Sequence, residues 1–241
     1  MESGATAVNL RSLDLASAIR ILEHAGRYSQ VQQDLDPMAQ LQALIDALCD
    51  LSMHDGLTGL VNPTFFRAAL ASELDRSCRT GRACALMMLD LDRFKNINDT
   101  YGHHVGDHVL RAVAGQLKYS LRSMDMAARI GGEEFAVMLP ECGAEEALRA
   151  ASRIHGNLCP LEVRTGELTL TVTSSAGLAW TEPCIPISPK MLMAQADAEL
   201  YRAKRTGRQR LCHAELIPTR ISAAEHAALV PRQLEEDSYD Q

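Results

Sequence analysis

The chain has 241 residues, 46% hydrophobic and 23% charged, with 15 Gly and 9 Pro. That composition is globular and excludes disordered, collagen-like and disulfide-scaffold classes; the length supports one or two domains, each able to bury a real core. The formal charge of −7 argues against nucleic acid as a main partner, because non-specific binding to its backbone needs a basic face. An anionic nucleotide can still be held by a few local cations and metal ions.

The first 52 residues read as helical. Leu13, Ala18, Ile21, Leu22 and Ala25 suggest one amphipathic helix. Asp36-Pro37 starts a second, with a capping side chain followed by Pro at the first helical position. Met38, Leu41, Ile45 and Leu48 follow on one stripe beside Leu44 and Leu51, a short coiled-coil seam or a surface for the neighbouring domain. His54 to Gly59 is a turn-rich break. Asn62-Pro63 opens a helix to about Thr80. Arg82 to Asp92 is a buried strand, since its apolar run is continuous. The longest such run, Ala83 to Leu89, falls far short of the roughly 20 residues that span a bilayer. No basic start followed by an apolar block opens the chain, so no membrane span and a cytoplasmic location are expected.

Residues 94–102 form a short helix and loop, and a helix runs from Gly106-Asp107 to about Leu121. Met124 to Ile130 and Glu133 to Leu139 are strands joined by the Gly131-Gly132 turn, a hairpin. Residues 144–157 are helical. Glu162 to Arg164 and Leu168 to Trp180 flank a second turn at Thr165-Gly166-Glu167. Pro189 opens a helix to Arg205, and Gln209 to Cys212 adds an edge strand. The tail 213–241 is polar, with room for a short helix around 223–229. The order suggests an α/β (α+β) fold, a mixed central sheet flanked by helices. Seven cysteines without a CxxC pair read as reduced, mostly buried thiols.

Asp90 and Asp92 close an otherwise apolar strand, two residues apart and so on one face. Glu133 and Glu134 follow the Gly-Gly turn. If the hairpin lies beside that strand, three or four carboxylates converge, and like charges at that density require a cation. Oxygen-only ligands favour Mg²⁺ or Mn²⁺, and two such ions suit phosphoryl transfer. The other reading is solvated strand ends. His103, His104 and His108 beside Asp107 allow a zinc reading, against which stand the lack of a thiolate and their place at a loop and helix start. On spacing alone, Arg122 and Asp125 make an i, i+3 ion pair worth about 0.2–0.5 kcal/mol.

Gly131-Gly132-Glu133-Glu134-Phe135 resembles the signature of GGDEF-domain diguanylate cyclases in its GGEEF form. The resemblance extends through Asp55-Gly56-Leu57-Thr58-Gly59-Leu60 (D-x-L-T-G-L), Asp90 to Asp99 (D-x-D-x-F-K-x-I-N-D), Gly102 to Asp107 (G-H-x-x-G-D), and Ala196 to Lys204 with Gly207-Arg208 (A-D-x-A-L-Y-x-A-K-x-x-G-R, where Glu199-Leu200 holds the usual A-L pair). It covers about residues 53–212, in order and with family spacing. It implies three regions: an N-terminal helical, coiled-coil-like dimerisation or regulatory region (1–52), a cyclase domain with a palm-like fold (53–212), and the polar tail (213–241).

The resemblance implies condensation of two GTP into cyclic di-GMP and pyrophosphate by two domains facing each other, each 3′-hydroxyl attacking the α-phosphate of the other nucleotide. Asp90, the Leu91 carbonyl and Glu133 would hold two Mg²⁺ or Mn²⁺ ions per site, with Glu134 close by. Glu133 would also accept the proton, with Asp92 in support. Asn98 and Asp107 would read guanine, whose edge offers N–H donors beside an acceptor oxygen, and His103 would touch the nucleotide. Lys95, Lys204 and Arg208 would meet the triphosphate, or stand as exposed helix-end cations. Gly131 and Gly132 would let it approach the backbone. Arg122 and Asp125 match the family's R-x-x-D site, where cyclic di-GMP binds and inhibits. Asn62-Pro63 replaces the usual Asn-Arg, removing one basic contact.

The competing expectation is a catalytically inactive module that binds cyclic di-GMP or a protein. The retained signature residues favour activity. A homodimer assembles the site, and a separate regulatory protein acting on residues 1–52 is the expected switch, against a constitutive dimer held by the 38–51 stripe.

Overall fold

The computed structural model describes residues 14–26 and 36–214. The tail, with its expected helix around 223–229, lies outside them, apart from its first two residues. Helices α1 (Ala16–His24) and α2 (Pro37–Met53) pack on one another around fully buried Leu22 and Leu44, with Ile19, Leu48 and Leu51 against them. Asp36 caps α2 as its sequence suggests, its Oδ1 accepting from the backbone N–H of Met38 at 2.8 Å.

The remaining elements, in chain order, are α3 (Pro63–Thr80), β1 (Ala85–Leu91), α4 (Phe94–Tyr101), α5 (His103–Ser120), β2 (Met126–Arg129), β3 (Glu134–Leu139), α6 (Ala144–Gly156), β4 (Leu161–Thr165), β5 (Leu168–Val172), β6 (Ser174–Trp180), α7 (Pro189–Arg205) and β7 (Leu211–His213). Asn62 caps α3 and Ser188 caps α7, each followed by Pro, because proline suits a first turn whose N–H has no helical partner. The main sheet runs β2-β3-β1-β6-β7. Its pairings are antiparallel except β6–β7, which is parallel.

Every residue of the central strand β1 is buried, and its alternation sorts two cores. Ala85, Met87, Leu89 and Leu91 face one side, with Val109, Val113 and Leu117 of α5 and Ile154 of α6. Leu86 and Met88 face the other, with Phe66 and Leu70 of α3 and Leu192 and Leu200 of α7. At Gly177 of β6, a Cβ would lie 2.1 Å from both the Ala196 carbonyl oxygen and the Leu200 nitrogen. Glycine there is what lets α7 lie directly on the sheet.

Three sequence expectations need correction. The strand expected from Leu168 to Trp180 is two strands: β5 pairs with β4 in a separate hairpin and β6 joins the main sheet. The break is at Thr173, whose carbonyl accepts from the Asp92 backbone N–H at 2.8 Å. Helix α5 starts at His103 rather than Gly106, after Gly102 at φ 84°. The seven cysteines are all free, but only Cys84 and Cys142 are buried; burial, with the charge of Glu73 adding, pushes the Cys84 thiol up to about 12. Among the described residues no helix is long and apolar enough to cross a membrane.

Candidate active site

The hairpin does lie beside β1. Asp90 is in register with Glu134, and the Leu91 backbone N–H donates to the Glu133 carbonyl at 3.3 Å. The even-numbered residues of β1 face α7, and Asp90 meets Lys204 there, with Nζ 2.6 Å from Oδ2. Burial raises the Asp90 carboxyl above its ordinary range; Lys204 pulls it down, Asp92 pushes it up, and the net shift is upward. Glu133 is also raised, by burial first and then by the Asp90 charge, with Lys204 opposing and Glu134 adding. The Asp90 charge thus makes ionisation of Glu133 harder, and the Lys204 ammonium acts on both.

Among the described residues the expected three or four carboxylates do not gather around one point: no three His, Cys, Asp or Glu side chains are placed to surround one ion. Asp92 is turned aside: it accepts from the hydroxyls of Ser175 at 2.7 Å and Thr173 at 3.0 Å and from the Gln209 backbone N–H at 3.2 Å. Glu134 folds over the turn, where a Cβ on Gly131 would lie 2.3 Å from its Oε2. His108 is likewise drawn away, its Nε2 lying 3.0 Å from the Arg164 carbonyl.

The Asn98 side chain of α4 sits against Gly106 of α5, where a Cβ would be only 1.9 Å from Oδ1; Asp107 is the next residue. The absence of a side chain at Gly106 therefore makes room for Asn98. Lys95 and His103 are exposed, at the first turns of α4 and α5. Arg208 is exposed and close enough to Asp90 to lower its pKa. On the far side of the hairpin, the expected Arg122–Asp125 ion pair is absent: the Asp125 carboxylate accepts instead from the Arg122 backbone N–H at 2.9 Å. The Arg122 side chain is exposed and makes no ion pair among the described residues.

Sequence reasoning missed two supports. One is Asp92 as the brace that ties the 207–209 turn to β1. The other is Arg129, which donates to the Gly132 carbonyl at 2.7 Å and lies 3.3 Å from Asp55 Oδ1. It links the loop after α2 to the Gly-Gly turn. The Asp92–Gln209 and Arg129–Asp55 contacts are long-range and have no local signature.

The donor set fits a hard divalent cation. Asp90, Glu133 and the Leu91 carbonyl offer oxygen only, and the raised pKa values mark a place where added positive charge stabilises both carboxylates. Two carboxylates suffice where substrate phosphates and water complete the coordination shell of Mg²⁺.

A family model described as diguanylate cyclase, GGDEF domain, matches residues 52–210. Over 166 residues the chain is 39% identical to a probable diguanylate cyclase, DgcC of Escherichia coli K12, covering 66% of this chain and 43% of that protein. The chain spans less than half the length of the curated relatives it matches. Among solved structures it is similar to the diguanylate cyclase SiaD of Pseudomonas aeruginosa, crystallised with its activator SiaC: TM-score 0.67, 36% identity, 83% of this chain and 74% of that one. It is also similar to the coiled coil and GGDEF domain of DgcB from Caulobacter crescentus in complex with c-di-GMP: TM-score 0.68, 28% identity, 83% of this chain and 100% of that one. The sheet order, the placement of Asp90 beside Glu133 and a match over most of the chain agree: the chain belongs to the GGDEF-domain diguanylate cyclase family.

Proposed function

We propose that this protein condenses two GTP molecules into cyclic di-GMP and pyrophosphate. The observation that carries the reading is the β1–β3 register, which pairs Asp90 with Glu134 and brings Glu133 within reach of the Asp90 charge. Asn98 and Asp107 orient guanine by matching its donors and acceptor. An unpaired polar group against adenine costs on the order of 1–3 kcal/mol, which selects GTP over ATP. Lys95 and Arg208 hold the triphosphate, and Lys204 exchanges Asp90 for a phosphate oxygen when nucleotide is bound. Asp90, Glu133 and the Leu91 carbonyl hold Mg²⁺ or Mn²⁺, with Glu134 close by; when bound, the ions neutralise phosphate oxygens and acidify the attacking hydroxyl. Glu133 accepts the proton of the 3′-hydroxyl.

Two nucleotides must face each other, and each chain offers one guanine niche, so a homodimer completes the site. The α1–α2 pair supports this role. Met38 and Ile45 remain 59% and 45% exposed on α2, an apolar stripe suited to a second copy. The loop after α2 is also wired to the turn: Asn62 donates to the Met53 carbonyl at the end of α2, and Val61 donates to Ala127 and accepts from the backbone N–H of Arg129, whose side chain holds Gly132. A separate protein acting on residues 1–52 therefore has a route to the turn. The similarity to SiaD, which was solved with an activator, covers a wider share of this chain than the cyclase domain alone. Cyclic di-GMP at Arg122 and Asp125 supplies feedback inhibition.

The test is incubation with GTP or ATP and Mg²⁺, followed by chromatography of the nucleotides, with Glu134→Ala alongside. Cyclic di-GMP from GTP alone, and much less from the variant, is expected. No cyclic dinucleotide from the parent protein overturns the reading in favour of a binding module. Equal use of ATP overturns the roles of Asn98 and Asp107.

A further inference from the structure

At the end of β1 that carries the acids, Leu91 is in register with Ser174 of β6, and the Asp92 N–H donates to the Thr173 carbonyl at 2.8 Å. Hydrogen bonding alternates along an antiparallel pair. The Leu91 carbonyl, one residue before that bond, therefore points away from β6, to the side where the Leu91 N–H meets the Glu133 carbonyl. By the same alternation the Ser174 carbonyl points away from β1. β7 pairs with β6 from Ala176 to Leu178, so its ladder starts beyond Ser174. His155, in the last turn of α6, takes that carbonyl instead, with Nε2 2.9 Å from the oxygen. A carbonyl can only accept, so Nε2 carries the proton and donates it. The histidine is buried and takes no part in the chemistry described above. Residues 173–175 are thus held from two sides. Asp92 accepts from the hydroxyls of Thr173 and Ser175, and His155 clamps the backbone between them.

We propose that His155 is a positioning residue for the metal site: by holding the Ser174 carbonyl it fixes the end of β6, and through the Leu91–Ser174 and Asp92–Thr173 pairings it fixes the Leu91 carbonyl. This rests on the cyclase reading and deepens it. The need for such a clamp follows from the topology. The chain leaves β5 and enters β6 at Thr173, and β5 belongs to a separate sheet, so no continuous strand steadies the site end of β6. A side chain can be reoriented by its rotamers, but a backbone carbonyl that ligates a cation is aimed only by the strand that contains it. The imidazole supplies the hydrogen bond that a neighbouring strand supplies elsewhere in the sheet. It also satisfies a buried acceptor, whose loss of a partner is costly. Partners that orient metal ligands without touching the metal are commonly worth about tenfold or more in metal affinity.

The test uses the full chain. Mn²⁺ is titrated by calorimetry in the presence of an α,β-methylene analogue of GTP, hydrogen exchange of the Asp92 amide is followed in the metal-free protein, and GTP turnover is measured separately. His155→Leu keeps apolar bulk without a donor, and His155→Gln keeps an N–H at similar reach. The leucine variant is expected to bind Mn²⁺ about tenfold more weakly, to exchange the Asp92 amide faster, and to lose kcat with little change in the KM for GTP. The glutamine variant recovers most of each loss. Ser174→Ala removes a buried hydroxyl that has no partner among the described residues and keeps the carbonyl, so it should match the parent. Should His155→Leu fail to fold, His155→Asn, whose amide is too short to reach the carbonyl, takes its place with the same expected losses. Unchanged Mn²⁺ affinity in the variant without the donor overturns the proposal, and so does an equal loss in the glutamine variant, which marks a packing role. If the parent makes no cyclic dinucleotide yet His155→Leu still loses Mn²⁺ affinity and amide protection, the cyclase reading falls and the positioning role stands.

Discussion

Arg129 and Asp55 are joined by a partly buried ion pair, Nη1 to Oδ1 3.3 Å, in which the same guanidinium also holds the Gly132 carbonyl. The loop that follows α2 and the Gly-Gly turn therefore share one side chain and move together. Burial alone would raise the Asp55 carboxyl. The Thr58 hydroxyl at 2.6 Å and backbone N–H at 2.9 Å, then the Arg129 charge, outweigh it and hold the pKa below its ordinary value. A depressed folded-state pKa contributes stability that is present above the unfolded value and disappears as pH falls through the folded one. The contribution of Asp55 is thus full above about pH 5 and fades on acidification below about 4. Asp55→Asn is expected to lower the thermal midpoint at pH 7, and the gap between parent and variant should shrink between pH 5 and pH 3. A gap independent of pH contradicts the assignment.

Gly106→Ala introduces a Cβ 1.9 Å from Asn98 Oδ1. The contact is with a side chain, so the amide turns away and the fold survives. The predicted result is a KM for GTP raised about tenfold, the size expected when one or two buried polar contacts go unmade, with narrowed discrimination against ATP. Steady-state kinetics on both nucleotides check it.

Gly177→Ala differs because the obstacle is the backbone of α7, 2.1 Å away at two atoms. Neither β6 nor α7 can give way locally, since both lie in the buried layer around Leu192, Ala196 and Ala179. Overpacking costs typically 1–3 kcal/mol, and a loss at or above about 3 kcal/mol is expected here, read as a lower midpoint in urea unfolding.

Arg122→Ala removes an exposed guanidinium that makes no ion pair among the described residues. Stability should change by less than about 0.5 kcal/mol, while added cyclic di-GMP loses most of its inhibition of GTP turnover. Unaltered inhibition shows that the R-x-x-D turn is not used.

What the sequence makes legible is local. Asp36-Pro37, Asn62-Pro63 and Ser188-Pro189 each announce a helix start, because cap and proline chemistry act within one turn. The continuous apolar run of β1 announces a buried central strand with acids at its end. What stays hidden depends on residues far apart in the chain. Leu168, Leu170 and Val172 alternate up to Thr173, and only the hydrogen bonds from Asp92, 81 residues away, end one hairpin and start β6. The same long-range contact takes Asp92 out of the expected carboxylate cluster. Arg129 reads as one more charge before the glycines, since its partner Asp55 lies 74 positions earlier.

The central claim is that Asp90 and Glu133 build a site that turns GTP into cyclic di-GMP. It is tested most directly by following product from the parent protein and from Asp90→Asn at equal concentration with Mg²⁺. The account predicts cyclic di-GMP from the parent and at least a hundredfold less from the variant, with the variant's thermal midpoint near that of the parent. No product from the parent, or equal product from both, contradicts it.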